Sequence, residues 1–246
     1  MKIGILQVGK VADALVPRFG ESPPFFQDLF AKAEQGLNFE TYMTLDGELP
    51  TSPEAADAWL VTGSKSGVYD PEPWIPPLIA FLRRARATGR PIIGVCFGHQ
   101  IMAEAFGGRA EKSEKGWGLG VHDYAVATKP SWMADAPDRI SMHANHQDQV
   151  TAIPADATVL ARSPFCEYAA LAYGDPERPD GISIQPHPEF EMEFAKALAE
   201  FLAEDRVPAD RADPALESYG RPVHAGDWAR WCIAYLRRVR GVVRAA

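Results

Sequence analysis

Apolar residues along this chain fall into two rhythms, short unbroken runs and longer stretches at helical spacing. Lys2 to Val8 is an apolar run that stops at Gly9, which suits a strand buried on both faces of a parallel sheet. Phe25 to Gln35 has helical character after the Pro23-Pro24 break. Phe39 to Leu45 and Ala58 to Val61 read as further strands, the second ended by Thr62-Gly63-Ser64. Between Pro71 and Ala87, the residues Ile75, Leu78, Ile79 and Leu82 fall at helical spacing, and Gly89 supplies a stop. Ile92, Ile93 and Val95 form a strand that passes directly into a short helix, FGHQIMAEAF, closed by Gly107-Gly108. Strand and helix alternating in this way predict an α/β fold: a mostly parallel central sheet with helices on both faces.

The rhythm changes after Trp117. Leu119 to Ala127, Arg139 to Met142, Thr158 to Ala161 and Tyr168 to Tyr173 are strand runs separated by polar turns. They predict an antiparallel or mixed extension of the sheet. Gly181 to Gln185 returns to a core strand, and Phe190 to Phe201 is a helix. The tail from Asp205 opens as a Pro- and Asp-containing connection. An extra C-terminal helix then runs from about Asp227 to Arg240, with Trp228, Trp231, Ile233, Leu236 and Val239 as its apolar positions. No internal repeat, low-complexity tract or clear linker interrupts the chain. The expected organisation is one α/β domain over 1–204 and a C-terminal extension over 205–246 packed on it.

Composition narrows the partners. A hydrophobic share of 46% supplies ample material for one core. The net charge of −8 argues against a broad nucleic-acid or anionic-membrane surface. Two arginine groups, Arg83, Arg84 and Arg86, and Arg237, Arg238 and Arg240, read as solvated helix faces. No apolar run approaches the roughly 18–20 residues of a membrane span. The opening MKIGILQVGK reads as a first strand, not a secretory leader. Three cysteines without a CxxC or CxxH pair suggest neither a disulfide framework nor a zinc site. The expected setting is the reducing cytoplasm, with no metal. VGKVADAL lacks a dinucleotide-binding glycine pattern and no Walker A loop is present, so no cofactor and no ATP are expected.

The chemistry concentrates in GVCFGHQ, residues 94 to 100. Strand, sharp turn and helix form the geometry that lifts a nucleophile from the carboxyl edge of a sheet, and G-V-C-F-G is the thiol counterpart of G-x-S-x-G. The new helix directs free N–H groups and its positive dipole end at Cys96, favouring the reactive thiolate. Acyl transfer also needs a base and a group to orient it. His187 is the best of six histidines. It comes after an apolar strand in SIQPHPEF, Pro186 and Pro188 stiffen its flanks, and the Glu189 carboxylate lies two residues on. Glu189 also suits a helix N-terminal carboxylate, and the two roles are compatible. Cys166 and Cys232 read as packing residues. His99 neighbours the nucleophile without being read as catalytic. His143 and His146 lie in a strand-loop segment where His146 either lines a pocket or packs.

GVCFGHQ, QPHPEF and the earlier VTGS loop together resemble the class I glutamine amidotransferase domain, over most of the chain from the first strand to about Leu202. The resemblance implies a flavodoxin-like three-layer fold. It also implies hydrolysis of the glutamine side-chain amide to glutamate and ammonia through a Cys-His-Glu triad and a γ-glutamyl thioester. Carried over by position, Cys96 is the nucleophile, His187 the base and acid, and Glu189 the orienting carboxylate. The N–H groups of Gly63 and Phe97 form the oxyanion hole. Gln100 helps hold the substrate, and Asn145, Gln147 and Asp148 in MHANHQDQV grip its charged α-groups. One departure is Thr62-Gly63-Ser64 where the family often has Gly-Gly-Pro; the oxyanion glycine is kept.

The chain looks most like the amidotransferase portion of GMP synthases, standing alone. The implied partners are L-glutamine or another γ-glutamyl compound, and a separate synthetase that accepts the ammonia; neither nucleic acid nor membrane is implied. Two alternatives stay open: a free-standing hydrolase of other γ-glutamyl amides, and a non-catalytic regulatory subunit that keeps the fold. A synthetase partner predicts a sizeable exposed apolar patch near the site mouth. A free-standing hydrolase predicts none.

Overall fold

Strand runs with no polar side are the ones that lie in the middle of the sheet. The protein is described by a computed structural model over residues 1–243, with side chains through Val239. The first half alternates as the sequence pattern predicts. It runs Lys2–Leu6 (β1), Val16–Phe19 (α1), Ser22–Ala33 (α2), Asn38–Tyr42 (β2), Ala58–Val61 (β3), Ile75–Ala87 (α3), Ile92–Val95 (β4) and Phe97–Ala105 (α4). The second half is Arg109–Lys112 (β5), Gly118–Val126 (β6), Arg139–His146 (β7), Asp148–Ala152 (β8), Ala157–Arg162 (β9), Ala170–Tyr173 (β10) and Gly181–Ile184 (β11). Three helices close the chain: Met192–Ala203 (α5), Ala209–Ser218 (α6) and Ala225–Val243 (α7).

Among the described residues, the main sheet has nine strands in the order β2-β1-β3-β4-β11-β10-β9-β6-β7. From β2 to β11 neighbouring strands are parallel; from β11 to β7 they are antiparallel. The strands β3, β4 and β11 are buried along their whole length, as unbroken apolar runs require. Their side chains alternate between two cores. Ile3, Ile5, Leu60, Ile93 and Ile184 face Phe26 and Phe30 of α2 and Trp228 and Tyr235 of α7. Leu6, Trp59, Val61 and Ile92 face Leu78, Phe81 and Leu82 of α3 and Phe97 and Ile101 of α4. The result is the three-layer arrangement, helices over both faces of a sheet. A third cluster packs α5 and α6 on Leu119 and Val121 of β6.

Register delivers the site. In β3, β4 and β11, Val61 pairs with Gly94 and Val95 pairs with Ile184. The three strands therefore end at one edge, and the segments that leave them meet there: Thr62-Gly63, then Cys96, then Gln185 to Glu189. Ligands bind outside the carboxyl ends of such strands.

The structure departs from the sequence expectation in five places, the first being the four-residue helix α1, which the pattern does not predict. β5 and β8 form a separate two-stranded sheet that the pattern does not reveal, because both are short and half polar. The connection after Asp205 contains α6, with Pro214 inside it. Pro214 reads as a breaker, but Ala212 and Ala215 are buried against the third cluster and packing outweighs the lost hydrogen bond. The helix expected from Phe190 starts at Met192, which leaves Phe190 in the turn beside His187. The arginines are not merely solvated: Arg86 is paired with Asp156 and Asp180, Arg237 with Glu34 and Arg238 with Glu177. The side chain of Arg240 lies outside the described residues. None of the described helices is long and apolar enough to cross a membrane.

The C-terminal extension contributes to the main core through α7, where Trp228, Trp231, Cys232 and Tyr235 are buried. We propose that 205–246 folds as one unit with 1–204. Truncating Trp228 to Ala is expected to cost about 3–5 kcal/mol. Urea unfolding followed by two probes checks it: one transition moved to lower urea, with unchanged slope, is the expected outcome. A separate early transition of the tail would oppose it.

Candidate active site

Cys96 sits one residue past β4 with φ 55° and ψ −105°. It is the sole non-glycine residue with positive φ among the described residues. Such a conformation costs about 1–3 kcal/mol and persists only where the surroundings over-determine it. Here they do. The Cys96 N–H donates to the Ile184 carbonyl at 2.9 Å, and its carbonyl accepts from Gln100 N–H at 3.1 Å. Both flanking glycines are demanded by close approach. A Cβ on Gly94 would lie 2.4 Å from the Gly98 oxygen, and one on Gly98 would lie 2.3 Å from the Val61 oxygen. The helix that begins at Phe97 can therefore press onto β3 and β4, with its first N–H groups at the sheet edge.

His187 and Glu189 lie opposite. The imidazole Nδ1 donates to Glu189 Oε1 at 2.7 Å, and both side chains are buried. Because a carboxylate only accepts, Nδ1 carries a proton and Nε2 is left for the chemistry. His187 Nε2 forms no hydrogen bond of ordinary geometry, yet Cys96 is close enough to act on it electrostatically. Burial alone would lower the His187 pKa. The Glu189 carboxylate and Cys96 outweigh it, and His187 rises to about 10. The Phe190 ring stacks on the imidazole, with centroids 4.0 Å apart and planes 8° from parallel. Gly63 completes the group: a Cβ there would sit 3.1 Å from His187 Cε1 and 3.6 Å from Cys96 Cβ. Cys96, His187, Glu189, Gly63 and Phe97 thus meet at one edge of the sheet.

The other sequence-selected residues are placed less evenly. Asp148 joins the site through its neighbours. Its carbonyl accepts from Gln100 Nε2 at 3.0 Å and from His146 Nδ1 at 3.1 Å. Its carboxylate accepts from the Tyr69 hydroxyl at 2.9 Å, on the loop that leads out from Gly63. Burial raises the Asp148 pKa. Gln100 also donates to Gln185 Oε1 at 3.1 Å, so its amide nitrogen is engaged within the protein. Asn145 lies on β7, with its buried Oδ1 unpartnered. Gln147 stands between β7 and β8, and its carbonyl accepts from Ser113 N–H at 3.3 Å. His99 is turned toward Ser183 of β11 at 2.8 Å, and burial lowers its pKa to about 3. Cys166 and Cys232 are buried free thiols, and burial pushes both up, Cys166 to about 12. Among the described residues, no group of three or more His, Cys, Asp and Glu side chains is arranged to hold a metal ion.

Residues 48–203 match the family model for class-I glutamine amidotransferases. The chain belongs to that family. Its γ-glutamyl peptidase 5 relative from Arabidopsis thaliana is 27% identical over 168 residues, 65% of either protein. A subunit of the glutamine-hydrolyzing GMP synthase of Methanopyrus kandleri is 35% identical over 107 residues, 42% of this chain and 53% of that one. The chain thus spans less than two thirds of the length of either relative. A solved glutamine amidotransferase from Methylobacillus flagellatus superposes with a TM-score of 0.75 at 21% identity, over 98% of this chain and 94% of that one. At that identity the likeness speaks for the fold, which the amidotransferase shares.

Sequence reasoning did not find Tyr69, Phe190 or a part for His143. Tyr69 and His143 carry no local signal, since their partners are remote in sequence. Phe190 was hidden by being counted into a helix.

The elevated His187 pKa depends on Glu189. Because the folded state holds this proton more tightly than the unfolded chain, the stabilisation is whole below the ordinary value of 6.5 and is lost as pH rises toward about 10. Glu189→Gln is expected to lower the His187 pKa, move the alkaline limb of kcat to lower pH, and reduce kcat at neutral pH by about 10²–10⁴. A pH–rate profile of the two proteins checks both effects.

Proposed function

We propose that the amidotransferase hydrolyses γ-glutamyl amides through Cys96, His187 and Glu189, with L-glutamine as the simplest substrate. The observation that carries this reading is the buried His187–Glu189 hydrogen bond facing a cysteine held in a strained elbow. The Cys96 thiolate attacks the γ-carbonyl carbon, and the carbonyl oxygen becomes an oxyanion between the N–H groups of Gly63 and Phe97. Each such donor is worth roughly 3–4 kcal/mol in comparable acyl transfers. His187, protonated at Nε2, gives that proton to the departing nitrogen as the C–N bond breaks, releasing ammonia or an amine. The γ-glutamyl thioester remains. His187 then takes a proton from water, the hydroxide equivalent adds to the thioester, and the C–S bond breaks to release glutamate and restore the thiolate–imidazolium pair. No redox change and no cofactor enter this sequence.

Asp148 is the group best suited to the substrate's α-ammonium. Its carbonyl is fixed by Gln100 and His146 and its carboxylate is reachable from the Gly63 loop. On this reading Gln100 acts largely through Asp148, while Asn145 and Gln147 supply backbone contacts.

Two forms of the reaction differ in the fate of the nitrogen. The γ-glutamyl peptidase among the relatives favours a free-standing hydrolase of γ-glutamyl amides. The glutamine-hydrolyzing GMP synthase among the relatives favours delivery of ammonia to a separate synthetase in the cytoplasm.

The test offers purified protein L-glutamine and a panel of γ-glutamyl amines and peptides, with Cys96→Ala as the blank. Cys96-dependent release of ammonia or amine is expected. Turnover of γ-glutamyl peptides alone would make this a peptidase; no turnover, and no labelling of Cys96 by a glutamine-like electrophile, would overturn the triad. Tyr69→Phe, which removes the partner of Asp148, is expected to raise KM about three- to tenfold with kcat little changed, as steady-state kinetics would register.

A further inference from the structure

The triad histidine sits in a four-residue turn, His187-Pro188-Glu189-Phe190, and something outside the turn must hold it. Both prolines beside His187 lack a backbone N–H, so this segment cannot tie itself into a ladder on both sides. One residue grips it at each end, and that residue is His143 of β7. Its carbonyl accepts from the His187 N–H at 2.8 Å, as an isolated antiparallel bridge beyond the end of β11. Its imidazole Nδ1 lies 3.0 Å from the Phe190 carbonyl. A carbonyl can only accept, so Nδ1 carries the proton and donates. The two bonds bracket Glu189.

Consequences arise for both groups that touch the His187 ring. Glu189 Oε1 reaches His187 Nδ1 only if the turn keeps its curvature. The Phe190 ring lies flat on the imidazole only if the Phe190 backbone stays where His143 holds it. Phe194 packs edge-to-face against Phe190 at 4.8 Å between centroids. His143 is itself buried and packed against Tyr219, at 5.6 Å between centroids, beyond α6. Burial keeps it neutral by lowering its pKa.

We propose that His143 is a positioning residue for the triad: with its main chain and its imidazole it clamps both ends of the His187–Phe190 turn, and so fixes the His187–Glu189 hydrogen bond. This rests on the triad reading above. The clamp makes no contact with substrate in this role. It acts through His187, so it is expected to govern kcat and leave KM nearly alone.

Three substitutions separate the clamp from simple packing. Asn places an amide N–H where the imidazole Nδ1–H lies; Gln extends its amide to the Nε2 position; Leu fills the space without a donor. His143→Leu and His143→Gln are expected to lose kcat by about ten- to a hundredfold, in the range of outer-shell orienting groups, with KM within about twofold. Their alkaline limb of kcat should move to lower pH. His143→Asn should recover most of the loss. A second readout needs no turnover: the far-downfield proton resonance of His187 Nδ1–H, bonded to Glu189, recorded in the whole protein with Cys96→Ser. It should persist in His143→Asn and broaden or vanish in His143→Gln. Equal kcat and equal resonance in wild type, Asn and Gln variants would overturn the clamp. Failure of Leu alone to fold leaves the Asn and Gln comparison to decide. If wild type turns over nothing, the proposed activity falls, and the resonance still decides for or against the clamp.

Discussion

The pairing of β4 with β11 is the constraint on which the rest depends. Val95 lies beside Ile184, and the two strands run parallel to the same edge. Cys96 follows β4 immediately and His187 comes three residues after β11, so the pairing of the two strands brings both to one edge of the sheet. A slip of one residue would turn each side chain of β11 to the other face. Ser183, now beneath α4 with His99 and Tyr173, would trade places with isoleucines that face α2 and α7. Two cores would each lose their apolar lining at once. The register is therefore held by the whole three-layer stack, and the site inherits its precision from that stack.

How much of such a site the sequence discloses depends on how local the physics is. Cys96 was legible because strand, glycine, cysteine, glycine and helix are contiguous, and the steric need for Gly94 and Gly98 arises within that contiguity. His187 and Glu189 were legible because they are two residues apart and flanked by prolines. The inner strands β3, β4 and β11 were legible because burial on both faces leaves them apolar except for Ser183. β5 and β8 were not, since Arg109–Lys112 and Asp148–Ala152 mix polar and apolar positions and acquire their form from each other. α6 was concealed by Pro214, whose local cost is overridden by the burial of Ala212 and Ala215. The contacts of His143 and Tyr69 exist only after distant segments meet, so no spacing rule points to them.

Burying an ion pair is a poor way to stabilise a protein. Taking His187 and Glu189 out of water costs more than a well-packed apolar pair would. The structure accepts further local costs at the same edge: a positive φ at Cys96, and buried Glu189 Oε2 and His187 Nε2 without partners. Each is a feature that a core selected for stability alone would remove. They are concentrated within one turn and one elbow at the ends of the buried strands β3, β4 and β11, an arrangement that suits a candidate site. The raised His187 pKa is the counterpart of these costs, since the Glu189 carboxylate and Cys96 outweigh burial and hold a proton on the ring.

The C-terminal extension bears on the site through β7. That strand lies at the outer end of the sheet, where unpaired backbone invites slippage. The extension covers part of it. The His224 N–H donates to the Ser141 carbonyl at 2.9 Å, and His224 Nδ1 accepts from the Ser141 N–H at 3.0 Å. Arg221 donates to the Val121 carbonyl of β6 at 3.0 Å and pairs with Asp123, which in turn accepts from the Ser141 hydroxyl. Ser141 is thus held from both sides, two residues before His143. Tyr219 packs directly on the His143 ring. The extension therefore holds the strand from which His143 bonds to the turn that carries His187. The edge of the sheet and the edge of the site are stabilised by the same few bonds.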